Sequence, residues 1–152
     1  METILVSACL LGEKCKYDGR SNYRPFVEKL KKQFDIVPVC PEVLGGLKIP
    51  REKSEIKKSK DMVVSETGRD VTRAFNKGRD EVLNIVKYLH ITKAVLMERS
   101  PSCGVHKVYN GQFNGTLIDG EGITTKGLRE LGVQVFTIEE MEEYLDELKN
   151  SN

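Results

Sequence analysis

Short apolar runs alternate along this chain with segments whose apolar residues recur at helical spacing. Residues 3–8, 35–39, 93–97 and 133–136 are short, rich in β-branched residues and bounded by loop-forming positions. That pattern predicts buried strands. Between them, Pro25 to Phe34 brings Phe26, Val27, Leu30 and Phe34 close to one helical face, and Pro25 suits a first turn. A longer helix is predicted over 71–89, with Val71, Phe75, Val82, Ile85, Val86 and Leu89 on its apolar side and Asp70 as N-cap. A helix near 123–131 stops at Gly132, and residues 138–148 close the pattern as an acidic amphipathic helix.

Strands alternating with helices in this way predict an α/β fold, a single three-layer domain with a mostly parallel sheet flanked by helices. It is Rossmann-like in outline but has no dinucleotide fingerprint, since neither G-x-G-x-x-G nor a P-loop occurs. Two stretches stand outside the alternation. Residues 41–67, with Gly45-Gly46, Pro50 and the lysines 57, 58 and 60, read as irregular, and irregular stretches of that length are usually functional or mobile. Residues 105–120 read as a hairpin-like excursion with turn signals at Asn110-Gly111 and Asn114-Gly115.

Length and composition narrow the classes. With 152 residues the chain fits one domain, 1–152, able to bury a core unaided. A formal net charge of +1 gives no global field for nucleic acid. No apolar stretch approaches the ~20 residues of a membrane span. The start, Met1-Glu2-Thr3, lacks the basic region of a secretory signal, so a cytoplasmic location is expected. Reducing conditions there disfavour structural disulfides and give cysteines other work.

There are four cysteines, and their positions are informative. Cys9 follows the first predicted strand, Cys40 ends the second, and Cys103 follows the third by a Ser-Pro-Ser turn. If those strands are parallel neighbours, three thiols meet at the carboxyl edge of the sheet, where open α/β folds bind ligands. Joint ligation of an iron–sulfur cluster fits, since thiolates are soft donors; burial as three ordinary apolar residues fits as well. Zinc sites usually show C-x2-C knuckles, which are absent, and His90 and His106 lie at no zinc-finger spacing from a cysteine. Cys15, in the loop from Gly12 to Gly19, is the odd one out: a fourth ligand, a resolving thiol or a loop anchor.

Other residues near these thiols carry candidate chemistry. Glu42 follows Cys40 by two positions; beside a buried cluster it would lose hydration, rise in pKa and serve as a general acid or base. Ser100 and Ser102 flank Pro101 just before Cys103 and could bind a ligand or cap the turn. Gly45-Gly46 could bring amides to a ligand, and Gly120 with Gly122 could open an anion site, although plain loops account for them too. The lysines 57–60 read as a solvated face. Tyr17, Arg20 and Arg51 could stack on or clamp a ligand, with surface roles the simpler assignment.

Several blocks together resemble a known family. Val6-Ser7-Ala8-Cys9-Leu10-Leu11-Gly12 and Cys15-Lys16-Tyr17-Asp18-Gly19 are followed by Pro38-Val39-Cys40-Pro41-Glu42-Val43-Leu44-Gly45-Gly46-Leu47 and Pro50-Arg51. Gly68-Arg69-Asp70-Val71-Thr72 with Phe75 and Gly78, Ser100-Pro101-Ser102-Cys103-Gly104, and Tyr109-Asn110-Gly111 with Phe113 complete the series. In this order they resemble the family catalogued as domain of unknown function 523, thiouracil desulfidases using a 4Fe–4S cluster held by three cysteines. The resemblance implies that Cys9, Cys40 and Cys103 hold the cluster, that Glu42 is the acid/base, and that Ser100 or Ser102 positions substrate or water. It further implies that substrate sulfur binds an iron without a protein ligand and that water replaces sulfur with no net redox change. Some relatives carry an extra domain and act on tRNA; without that extension, a small thiolated pyrimidine is the expected substrate. Relatives often carry a lysine where this chain has Met97.

Two other classes remain compatible with the residues: a metal- or cluster-binding redox sensor that turns over nothing, and a nucleotide-binding α/β module with inert cysteines. Metal analysis combined with a turnover assay separates all three.

Overall fold

The computed structural model describes residues 1–151. Four parallel strands form the central sheet: β1 (Thr3–Ser7), β2 (Asp35–Val39), β5 (Lys93–Val95) and β8 (Gln134–Phe136). Their order is β2-β1-β5-β8, with Leu5 opposite both Val37 and Ala94, and Ala94 opposite Val135. All four are the strands expected from the apolar runs.

Alternation along β1 builds the two faces of the sheet. Ile4 and Val6 point to one side, where α1 (Val27–Gln33) and α5 (Ile138–Asn150) bury Val27, Leu30, Ile138 and Met141. Leu5 points to the other, where α3 (Thr72–Leu89) and α4 (Ile123–Glu130) bury Val82, Val86 and Leu128. The result is the three-layer α/β/α arrangement, and central β1 has apolar neighbours on both faces, as parallel strands require.

Local chemistry sets the helix ends. Thr137 and Glu140 form a reciprocal capping box at the start of α5. The N-cap position of α3 is Val71, not Asp70 as expected, and the helix begins at Thr72; Asp70, one residue before Val71, accepts the N–H of Thr72 at 3.0 Å. His90 ends α3 in the left-handed conformation. Pro25 and Phe26 form a turn ahead of α1, which starts later than the sequence pattern suggested.

The largest departure from the sequence reading is in residues 41–67. This stretch is structured: a short helix α2 (Pro41–Leu44) follows β2 directly, and β3 (Ser54–Lys57) pairs antiparallel with β4 (Met62–Ser65). The hairpin turns at Lys58–Asp61 with Asp61 in the left-handed region, without the Gly that would have advertised it. Lys58 and Lys60 therefore sit at a hairpin tip, with Lys57 ending β3, and Lys58 donates to the Asp119 carbonyl at 3.2 Å. The 105–120 excursion is a second hairpin, β6 (Lys107–Tyr109) with β7 (Leu117–Asp119). Both hairpins contribute residues to the cavity that the cysteines after β1, β2 and β5 line, Ser54 and Glu55 from one and Tyr109, Phe113 and Gly115 from the other. Among the described residues no helix is long and apolar enough to cross a membrane.

Candidate active site

The strand order places a topological switch between β1 and β5, which is where ligands enter such sheets. Cys9 leaves β1 in a short 3-10 turn, Cys40 leaves β2 as the residue before α2, and Cys103 lies in the turn after β5. A cavity of about 520 Å³ opens there, and all four cysteines line it. All four are free thiols.

Cys15 is more central than its loop position suggested. It is buried, it lines the cavity with Cys9 and Cys40, and its carbonyl lies 3.8 Å from the Cys40 sulfur. As a donor to those two sulfurs it lowers the Cys9 pKa to about 7, helped by the Asn22 amide at 3.5 Å and opposed by burial. The same donation lowers Cys40 and holds the Cys15 proton firmly in place. Burial, followed by the nearby charge of Glu42, pushes the Cys103 thiol up. The thiol pKa is thus lowered at Cys9 and Cys40 and raised at Cys103.

Glu42, in the first turn of α2, joins the thiols to two further groups. Its carboxylate is 3.9 Å from the Arg51 guanidinium, and the two side chains are only 13% and 11% exposed. Arg51 also donates to the Cys15 carbonyl at 2.9 Å, so it sits inside the site and is not the surface residue its sequence context suggested. Ser100 Oγ accepts the N–H groups of Ser102 and Cys103, both at 3.0 Å. With both lone pairs engaged, its own proton is free to point to Glu42, 3.4 Å away.

Ser102 does not share this place. It is fully buried, its hydroxyl pairs with Thr124 at 2.7 Å, and it does not line the cavity, so it holds the turn against α4. Thr125 assists by donating to the Cys103 carbonyl at 3.0 Å. Gly45 and Gly122 also serve packing. A Cβ on Gly45 would meet the Ala74 carbonyl oxygen, and one on Gly122 the Ser102 carbonyl oxygen. Neither His90 nor His106 lines the cavity, and Arg20 lies outside it.

Sequence reasoning gave no role to Glu98, a carboxylate whose backbone partners lie up to nine residues away. Its Oε1 accepts the N–H groups of Val105, His106 and Lys107 at 2.6, 2.9 and 3.1 Å. Those bonds hold its pKa low against burial and brace the turn that presents Ser100 and Cys103. Tyr17, Phe75, Tyr109 and Phe113 add aromatic walls to the cavity, and Met97 lines it as well.

Among the described residues no three His, Cys, Asp or Glu side chains converge on one ion. A four-iron cluster asks for something different, because each thiolate binds its own iron and the donors surround the group without meeting at a point. Cysteines distributed around one cavity suit that demand.

Comparison with known proteins decides the family. Residues 4–140 match the 2-thiouracil desulfurase family. This chain belongs to that family. As a desulfurase family member it is an enzyme of the thiouracil desulfidase type, with the α/β fold described above. A solved structure of the 4Fe-4S-dependent thiouracil desulfidase TudS (DUF523Vcz) is similar to it at a TM-score of 0.89 and 40% identity, covering 98% of this chain and 99% of that one. The uncharacterized protein YbbK of Bacillus subtilis (strain 168) is 36% identical over 150 residues, 93% of this chain and 99% of that protein.

Within this desulfurase scaffold Ser100 has a testable part. Ser100→Ala removes the hydroxyl donor to Glu42 and the acceptor for the Ser102 and Cys103 amides, while the Ser102–Thr124 pair still anchors the turn. A hydrogen bond to a charged group contributes about 1.5–3 kcal/mol, so turnover should fall about tenfold or more. Iron content should fall far less than turnover, because the variant also frees the Cys103 amide, and metal analysis beside the activity assay would check this.

Proposed function

We propose that this chain hydrolyses the thiocarbonyl of a small thiolated pyrimidine such as thiouracil. Water exchanges C=S for C=O and sulfide leaves, with no net change in oxidation state. The observation that carries this reading is one cavity lined by four thiols, by the Glu42–Ser100 pair and by four aromatic rings.

The donor set suits a 4Fe–4S cluster, and we assign its ligands to Cys9, Cys40 and Cys103, which follow three adjacent strands. Such a cluster, held by three thiolates, supplies a Lewis-acidic iron open to a soft sulfur atom. Cys15 then acts beside the ligands, donating its thiol proton to the sulfurs of Cys9 and Cys40. Hydrogen bonds of this kind orient ligands and tune the group they hold.

The remaining chemistry is proton management. Glu42 takes a proton from the attacking water and delivers one to the departing sulfide. Arg51 holds the carboxylate in place and balances its charge in a poorly hydrated site. Ser100 fixes the carboxylate's orientation through its single free proton.

Anaerobic reconstitution followed by iron and sulfide counts and a thiouracil assay tests the reading. Sulfide release with equimolar uracil is the expected result; an iron-loaded protein that leaves thiouracil and thiouridine untouched overturns the substrate assignment. Alanine variants test the ligands independently of activity. Cys9→Ala, Cys40→Ala and Cys103→Ala should lose most of the iron, and Cys15→Ala should keep it. Iron loss from the Cys15 variant with retention in the Cys103 variant would exchange those two roles.

A further inference from the structure

A second buried carboxylate borders the cavity, and the chemistry above leaves it without a role. Glu55, on β3, is 8% exposed. Its Oε1 accepts the N–H of Gly111 at 2.9 Å and that of Phe113 at 3.1 Å. Burying a carboxylate is costly unless hydrogen bonds replace its water, and here they come from a loop more than fifty residues away.

That loop, 110–116, is pressed onto the β3–β4 hairpin. Gly111 has φ +89°, and a Cβ there would lie 2.6 Å from the Ile56 carbonyl oxygen, so only glycine allows the approach. Phe113 has φ +54°, a conformation rare for a bulky side chain. Strained residues of this kind persist where their surroundings over-determine them, and they cluster at ligand clamps. Phe113 lines the cavity together with Tyr109 on the same excursion.

We propose that Glu55 is a positioning residue, clamping the 110–116 loop so that the Phe113 ring forms a stacking wall for the flat ring of the substrate. The inference rests on the thiolated-pyrimidine reading. Glu55 touches the loop backbone and acts through Phe113. Stacking on an aromatic face favours any planar heteroaromatic ring and leaves the choice of sulfur position to the opposite side of the site.

The test compares wild-type, Glu55→Ala and Glu55→Gln holoprotein by three measurements: amide hydrogen exchange at Gly111 and Phe113, iron content, and kcat and KM for thiouracil. Glu55→Ala should speed exchange at those two amides and raise KM about tenfold, with kcat within about twofold and iron unchanged. Glu55→Gln keeps an accepting oxygen and should bring KM back to within about threefold of wild type. Phe113→Ala should reproduce the KM rise without loss of iron. An unchanged KM in Glu55→Ala overturns the inference, as does a parallel fall in kcat and iron, which would mark a general folding defect. Wild-type protein that releases no sulfide sinks the desulfidase reading itself; faster exchange in Glu55→Ala would then establish the clamp alone.

Discussion

Glu42→Gln is expected to lower kcat for sulfide release from thiouracil by about a hundredfold or more, because a positioned general acid/base, the role proposed for Glu42, typically contributes about 10²–10⁴-fold. Glutamine has nearly the same shape and keeps an oxygen for the Ser100 hydroxyl, but it cannot carry a proton at neutral pH. Arg51 loses its charge partner, yet its guanidinium still donates to the carbonyls of Cys15 and Lys48 at 2.9 and 3.5 Å, so the frame of the site remains. Iron content should therefore match wild type while turnover collapses. Kinetics and metal analysis on one reconstituted sample separate these effects. Near-normal turnover in the glutamine variant would show that protons reach the substrate by another route.

Gly78→Ala should disable the site from a distance. Helices α2 and α3 touch backbone to backbone at two glycines: a Cβ on Gly78 would lie 1.9 Å from the Pro41 carbonyl oxygen, and one on Gly45 would lie 2.0 Å from that of Ala74. No flexible side chain is available to yield at either point, so α2 must move off α3. That helix carries Glu42 and begins directly after Cys40, so the displacement shifts a proposed ligand and the acid/base together. Overpacking of this kind costs about 1–3 kcal/mol or more. The variant should unfold at lower temperature and lose iron and activity together. Gly127→Ala is the control: its Cβ would meet the ends of the Arg79 and Leu83 side chains at 3.2 Å, which can turn aside. Normal iron content in the Gly78 variant would mean that α2 can move without disturbing Cys40.

The main frame was legible because its signals are local. Ile4, Leu5 and Val6 announce a strand buried on both faces, and the spacing of Phe75, Val82 and Val86 announces the long helix. The β3–β4 hairpin escaped because its turn, Lys58–Asp61, contains no Gly or Pro and its strands have only four residues each. Asp61 takes the left-handed conformation that a glycine would have made visible. Ser100 and Ser102 look equivalent on either side of Pro101, and nothing local says that one faces Glu42 while the other pairs with Thr124.

The sequence by itself determined the strand–helix alternation and the positions of Cys9, Cys40 and Cys103 after successive strands, since burial periodicity and turn chemistry act over a few residues. It also carried enough ordered motifs to indicate the family. Only the tertiary structure decided that buried Cys15 shares one cavity with Cys9 and Cys40, that Arg51 backs Glu42, and that Glu55 accepts the amides of Gly111 and Phe113. Those relations join residues brought together by chain crossing and hairpin docking. Their geometry is set by the packing of the whole domain, which no short window of sequence encodes.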